Sequence, residues 1–155
     1  MAVFKVSQAD CDRILALTKV IDQDIHWTAK TNEAWAQANL LIKSNDPGRL
    51  ELIITINIMI PAIYSMTILY NQAHVIKRLD VNGSHLNKCS DGTRWNHQTH
   101  KHTWSEVCPD AHAYTPDDIT GTTVEEVLKQ FCQECNITFK GKFTPVPIRQ
   151  RMAGL

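Results

Sequence analysis

Apolar and polar residues alternate through the middle of the chain, and that period of two sets the expected fold. Over residues 49–60 every even position is apolar (Leu50, Leu52, Ile54, Ile56, Ile58, Ile60), while the odd positions include Glu51, Thr55 and Asn57. Successive side chains of a strand point to opposite faces, so this segment reads as a half-buried strand. Leu52, Ile54, Ile56 and Ile58 are its expected core face, and its isoleucines fit a pleated surface better than a helix. Pro61 ends it. Residues 34–43 form another expected strand, closed by the turn sequence Ser44-Asn45-Asp46-Pro47-Gly48. Residues 64–70 and 74–81 give two more, joined by Asn71-Gln72-Ala73; so short a link favours antiparallel neighbours. Residues 82–96 read as a loop carrying the turn dipeptides Asn82-Gly83 and Asp91-Gly92, and residues 99–107 as a fifth strand.

At both ends the period becomes helical. Ser7 can cap a first helix in which Ile14, Leu17, Ile21 and Ile25 recur at helical spacing, followed by a polar connection to residue 33. Near the other end Thr122 and Thr123 each precede a glutamate by three residues, the capping-box pattern. Val124, Val127, Leu128, Phe131, Cys132 and Cys135 then mark one helix face. The tail from Lys140, with Pro145 and Pro147, reads as extended. This order predicts an α+β fold: a twisted antiparallel sheet of four to five strands with an N-terminal and a C-terminal helix packed on it.

Composition narrows the functional classes. A length of 155 residues suits a single domain. Sixteen basic and sixteen acidic residues give zero net charge, so no chain-wide field draws the protein to nucleic acid or to a membrane surface. Local asymmetry remains: residues 110–126 hold five carboxylates, and residues 140–155 hold four basic residues and no carboxylate. The longest apolar stretch is broken by Glu51, Thr55, Asn57 and Pro61, too polar to cross a bilayer. Five cysteines at irregular spacing form no disulfide framework. With no secretory leader at the start, these features point to a cytoplasmic protein with no membrane partner.

The candidate chemistry is concentrated in residues 78–106, which carry His85, His97, His100, His102, Trp95 and Trp104. Histidine is the side chain whose ordinary pKa lies near neutrality. On a strand, His100 and His102 share a face, and a turn-rich loop can return His85 beside them. Three imidazoles, alone or with Cys89 and Cys108, suit a zinc site. A histidine pair also suits metal-independent RNA cleavage, one ring taking a proton from the 2′-hydroxyl and the other protonating the leaving oxygen. In that reading His85, His100 and His102 are catalytic, with no cofactor. Arg78 stabilises the phosphorane, and Trp95, Trp104, Lys101 and Arg94 bind the RNA. A non-enzymatic module that binds a protein partner, as an inhibitor or immunity component, is the alternative. Cys132-Gln133-Glu134-Cys135 is a C-x-x-C, but it ends an apolar helical stripe, whereas redox pairs sit at helix starts; it reads as core. His26-Trp27-Thr28 and His97-Gln98-Thr99 resemble the paired H-x-T triplets of two-histidine phosphoesterases.

A broader resemblance rests on Arg78-Leu79-Asp80-Val81-Asn82-Gly83, His85-Leu86-Asn87, Asp91-Gly92-Thr93, His100-Lys101-His102 and Glu106, followed by Phe131-Cys132 and Cys135-Asn136-Ile137. These runs resemble a family of small uncharacterised proteins of bacteria and mobile elements, over residues 74–138. The resemblance implies an α+β domain and no established activity. Together with the histidine cluster it leads to the expectation of a small RNA-directed protein, a toxin-like or phage-conflict endoribonuclease.

Overall fold

A computed structural model of the chain describes residues 6–29, 34–86, 94–103, 112–114 and 123–146; for 83–86, 94–103 and 112–114 it describes the backbone alone. The elements run α1 (Gln8–Ala16), β1 (Lys19–Ile21), β2 (Thr28–Ala29), β3 (Trp35–Ile42), β4 (Leu50–Asn57), β5 (Tyr64–Tyr70), β6 (His74–Leu86), β7 (Arg94–Thr103), β8 (His112–Tyr114), α2 (Val124–Glu134) and β9 (Ile137–Phe139). The fold is α+β. Strands β2 to β8 form one sheet in chain order, every neighbouring pair antiparallel. The four longest strands besides β7 are those expected at 34–43, 49–60, 64–70 and 74–81; of the fifth, expected at 99–107, residues 99–103 lie in β7 and 104–107 lie outside the described residues. β1, β2, β8 and β9 are too short to leave a pattern.

The even positions of β3, β4 and β5 face the core. Ala38, Leu52, Ile54, Ile56, Met66 and Ile68 are fully buried, and both helices contribute to the same apolar cluster through Cys11 and Ile14 and through Val127, Leu128, Phe131 and Cys132. Truncating Ile56 to alanine removes buried methylenes from the middle of that layer. It is expected to cost about 3 kcal/mol, measured as a fall in the urea midpoint at unchanged slope; a change below about 0.5 kcal/mol, the ordinary surface range, would reverse the face assignment.

Helix α1 starts as expected and ends earlier. Ser7 Oγ accepts from the Asp10 amide at 3.1 Å while Asp10 accepts from the Ser7 amide at 3.1 Å, a closed capping box. The helix stops at Ala16, so Ile21 and Ile25 are buried from β1 and from the following coil. Their spacing of four reflects repeated return to the core, not helix. The stop is made by Lys19. Its side chain is fully buried, and its ammonium donates to the carbonyls of Ile14 (2.7 Å), Leu15 (3.0 Å) and Leu17 (2.6 Å), acceptors that a helix C-terminus leaves unpaired. The Asn136 side-chain Nδ2 also donates to the Leu15 carbonyl, at 2.9 Å.

That corner also ties the two ends of the described chain. β1 pairs with β9 in parallel, Lys19 opposite Ile137. Beyond β9 the chain continues alongside residues 23–27, where the Trp27 indole donates to the Thr144 carbonyl at 2.9 Å. A Cβ on Gly141 would meet the Gln23 carbonyl at 1.7 Å, so only glycine permits this approach. Helix α1 is pinned to the 44–48 turn by Arg13, 2.8 Å from Asp46. Burial alone would push the Asp46 carboxyl up, but Arg13, the Gly48 amide and the Tyr70 hydroxyl outweigh it and hold it below its ordinary value.

Residues 82–86 and 94–96 are strand where a loop was expected. The Asn82-Gly83 dipeptide is not a turn. Asn82 takes φ 56° and the β6–β7 register shifts between Asp80 and Gly83, the behaviour of a bulge that lets the strand continue. The true tight turn is at Asn71 and Gln72, both with positive φ, which twist the β5–β6 hairpin in the favoured sense. The second helix is as expected, with Thr123 Oγ1 accepting from the Glu126 amide at 3.1 Å.

Candidate functional site

The sheet face turned away from the helices carries the chain's candidate chemistry. The odd positions of β3 to β5 lie on this face, and its residues Trp35, Gln37, Thr55, Ser65 and Thr67 are half-buried. The bulge opposite Ile68 and Leu69 shifts the parity of β6. Leu79 and Val81 therefore join the core, and Arg78 and Asp80 fall on the open face beside Thr67 and Ser65. There Arg78 grips Asp80 with a fork, Nε to Oδ2 at 3.0 Å and Nη2 to Oδ1 at 2.9 Å. The Asp80 side chain is 11% exposed and that of Arg78 44%.

The ladder sets two histidines next to this pair. His100 is register partner of Asp80 and His102 of Arg78. Directly opposed residues in an antiparallel ladder share a face, with Cβ atoms about 4.5–5.5 Å apart. His85 is not brought to them. It pairs with Trp95, five positions along the ladder, roughly 16 Å at about 3.3 Å per residue. Lys101 pairs with Leu79, a register position on the opposite face from the histidine pair. Arg94 pairs with Leu86 at the far end of the hairpin. The side chains of His85, Arg94, Trp95, His100, Lys101 and His102 lie outside the described residues, as does Trp104 altogether.

Arg78 was expected to stabilise the phosphorane, a role that needs unspent donors. Instead two of its donors are spent on Asp80, out of the five N–H groups of a guanidinium. Asp80 itself stood in the resemblance motif only as a pattern position. What marks it as part of the site is the register, which a single strand's sequence does not display.

The other expected chemistries fare differently. The H-x-T triplets do not meet, because β2 and β7 are separated by β3, β4, β5 and β6 in the sheet. Among the described residues no group of three histidines, cysteines or carboxylates can hold a metal; Cys89 and Cys108 fall outside them, with the histidine rings. Cys132 and Cys135 are buried free thiols. Burial pushes both up to about 12, with Glu134 adding to the effect at Cys135. Native protein is therefore expected to react with a thiol reagent at neither residue on the timescale that labels the unfolded chain within seconds, read by mass spectrometry; fast modification of either would contradict the burial. No helix among the described residues is long and apolar enough to cross a membrane.

Comparison with known proteins bears out membership of an uncharacterised family. The chain matches no curated protein and no solved structure. One family model matches residues 6–137, reaching from the start of α1 to β9 and so well beyond the 74–138 stretch on which the resemblance rests. On that span, the chain belongs to a family of unknown function, DUF6978.

Proposed function

We propose that this chain is a cytoplasmic, RNA-directed protein that cleaves phosphodiester bonds without a metal, with His100 and His102 as its acid–base pair. One observation carries the reading: the β6–β7 register sets His100 opposite Asp80 and His102 opposite Arg78. In this reading His100, opposite Asp80, is the acid and His102, opposite Arg78, the base. His102 takes the proton of a 2′-hydroxyl as O2′ attacks phosphorus. The P–O5′ bond breaks, and His100 protonates the departing 5′-oxygen. Arg78, held rigid by Asp80, has N–H donors left for the phosphorane oxygens.

The test is incubation of the purified protein with single-stranded RNA in excess EDTA. Cleavage leaving 2′,3′-cyclic phosphate ends is the expected result. No cleavage at micromolar protein transfers the weight to a protein-binding module. That alternative has its own observation: Met59 and Ile60, between β4 and β5, are 48% and 53% exposed, apolar side chains of the kind that anchor protein contacts.

A further inference from the structure

Strand β9 has one paired side and one open side. The Lys19 amide donates to the Asn136 carbonyl at 2.8 Å, and the Lys140 amide to the Ile21 carbonyl at 2.7 Å. With Lys19 opposite Ile137 and Ile21 opposite Phe139, these bonds fix the parallel pattern. Thr138 turns its N–H and C=O toward β1, and Ile137 and Phe139 turn theirs away. On β1 the outward groups are those of Val20, and Lys43 meets them at 2.9 and 2.8 Å. β9 has no such counterpart. Among the described residues no strand pairs with its outer side, and no hydrogen bond reaches the outward groups of Ile137 or Phe139. Ile137 is nevertheless buried, and buried backbone groups are as a rule paired.

The charge beside this edge is positive. A groove of about 450 Å³ lies between α2 and β9, its lining including Lys129, Gln133, Ile137, Thr138 and Phe139. Lys129 is the charged residue of that lining. It stands 3.5 Å from Glu125 with both side chains largely exposed, a surface pair weak enough to yield to a better partner. Lys140 is exposed and by strand parity shares a side with Thr138. No ion pair engages it among the described residues; Asp22, whose carboxyl it helps to lower, is bonded to Lys43 at 2.6 Å.

We infer that β9 accepts an added strand on its open side, an extended acidic segment of a partner protein lying antiparallel along the edge and beside α2. Two residues of that segment oppose Ile137 and Phe139 and exchange N–H and C=O bonds with them. The alternate residues fall beside Thr138 and Lys140, where carboxylates answer the charge of Lys140 and Lys129. A row of alternating donors and acceptors matches a peptide backbone and not a phosphate chain. A second copy of β9 would bring lysines to lysines, the device by which edge strands avoid self-pairing. β9 lies outside the sheet that carries the histidines, and the inference holds whether or not the chain cleaves RNA.

The experiment combines NMR-detected amide exchange with fluorescence anisotropy on the full chain, using the labelled heptapeptide TVEVEVT as probe. Opposed residues share a face, so its valines pair with Ile137 and Phe139 and its glutamates lie beside Thr138 and Lys140. In the free chain the Thr138 amide is expected to exchange slowly and the Ile137 and Phe139 amides fast; the peptide should slow those two. N-methylation of the valines removes the N–H groups aimed at β9 and is expected to weaken binding by at least about tenfold. N-methylation of the glutamates, whose N–H groups point the other way, should leave binding within about threefold. The peptide TVKVKVT should bind at least about tenfold more weakly than TVEVEVT, and so should TVEVEVT to Lys129→Glu/Lys140→Glu at unchanged melting temperature. No binding at about 1 mM peptide, equal binding of the valine-methylated peptide, or full affinity in the folded double variant would each overturn the inference. So would slow Ile137 and Phe139 amides in the free chain. The edge would then already be filled, by this chain if the free protein sediments as a monomer and by a second copy if it does not.

Discussion

Lys19→Ala is expected to cost about 5 kcal/mol of stability, combining a cavity where a long buried side chain stood with the desolvation cost of carbonyls that lose a donor. The ammonium is the shared donor for three carbonyls at the end of α1, and one of these bonds, to Ile14, is fully buried. Lys19→Met separates the two contributions. It refills the volume and takes away the donor of the Leu17 carbonyl, while Ile14 and Leu15 keep their bonds from the Leu17 backbone N–H and from Asn136 Nδ2, for an expected loss of about 1–3 kcal/mol. Equilibrium urea unfolding of both variants measures this, and a loss below about 0.5 kcal/mol in Lys19→Ala would mean that water replaces the ammonium freely. The same corner sets the response to alkali. Burial pushes the Lys19 ammonium down to about 8 against the attraction of Cys135, so the folded chain releases a proton that the unfolded chain keeps until about pH 10.4. Alone, that raises stability between those values. Cys132 and Cys135 act oppositely. Their thiols stay protonated in the folded chain up to about 12 and ionise near pH 8.5 when unfolded, so their contribution is complete below about 8.5 and lost above it. Two thiols outweigh one amine: stability is expected to fall from pH 8.5 to 10, more steeply in Lys19→Met. The sign should reverse in the double variant Cys132→Ala/Cys135→Ala.

His102→Ala and His100→Ala are each expected to lower RNA cleavage by roughly 10²–10⁴-fold, the usual worth of a positioned base or acid. The two roles make different pH signatures. The wild type should give a bell-shaped profile of kcat/KM; His102→Ala should lose its acidic limb and His100→Ala its alkaline limb. Wild-type turnover in either variant, with folding verified by melting temperature, would remove that histidine from the mechanism. Arg78 needs a more careful substitution. Arg78→Ala leaves the Asp80 carboxylate, 11% exposed, without its fork. The expected stability cost is about 1–2 kcal/mol, discounted because the guanidinium is half exposed. Loss of activity there is interpretable only beside Arg78→Lys, which keeps the charge and gives up the paired geometry.

The strands β3, β4 and β5 were legible because their partners on both sides force one face into the core, and Ile54 or Met66 cannot change parity without exposing a whole row. The edges of β6 and β7 were not. Asn82-Gly83 has the same local chemistry in a bulge as in a turn, and only the partner strand decides between them. For the same reason the sequence identified His100 and His102 as a same-face pair but assigned them His85 as a third member, when Asp80 and Arg78 are the ladder neighbours. Lys19 was invisible: a lone lysine between Thr18 and Val20 carries no mark that its charge will be buried on helix carbonyls. The short pair β1 and β9 was equally hidden, since a parallel contact between distant segments leaves no local period.

That distant pair has a consequence during synthesis. A nascent chain holding α1 through β8 has made the whole meander, yet until β9 has been translated β1 has only the single bridge of Val20 to Lys43 and lacks its strand partner. Contacts of such sequence separation form late, and partly closed cores are what proteases and aggregation act on. A premature stop codon just after α2 would therefore produce a chain with nearly all of its secondary structure and an open seam at one corner. Proteolysis should act on that product faster than on a chain that also carries β9, because β9 is what closes the seam against β1.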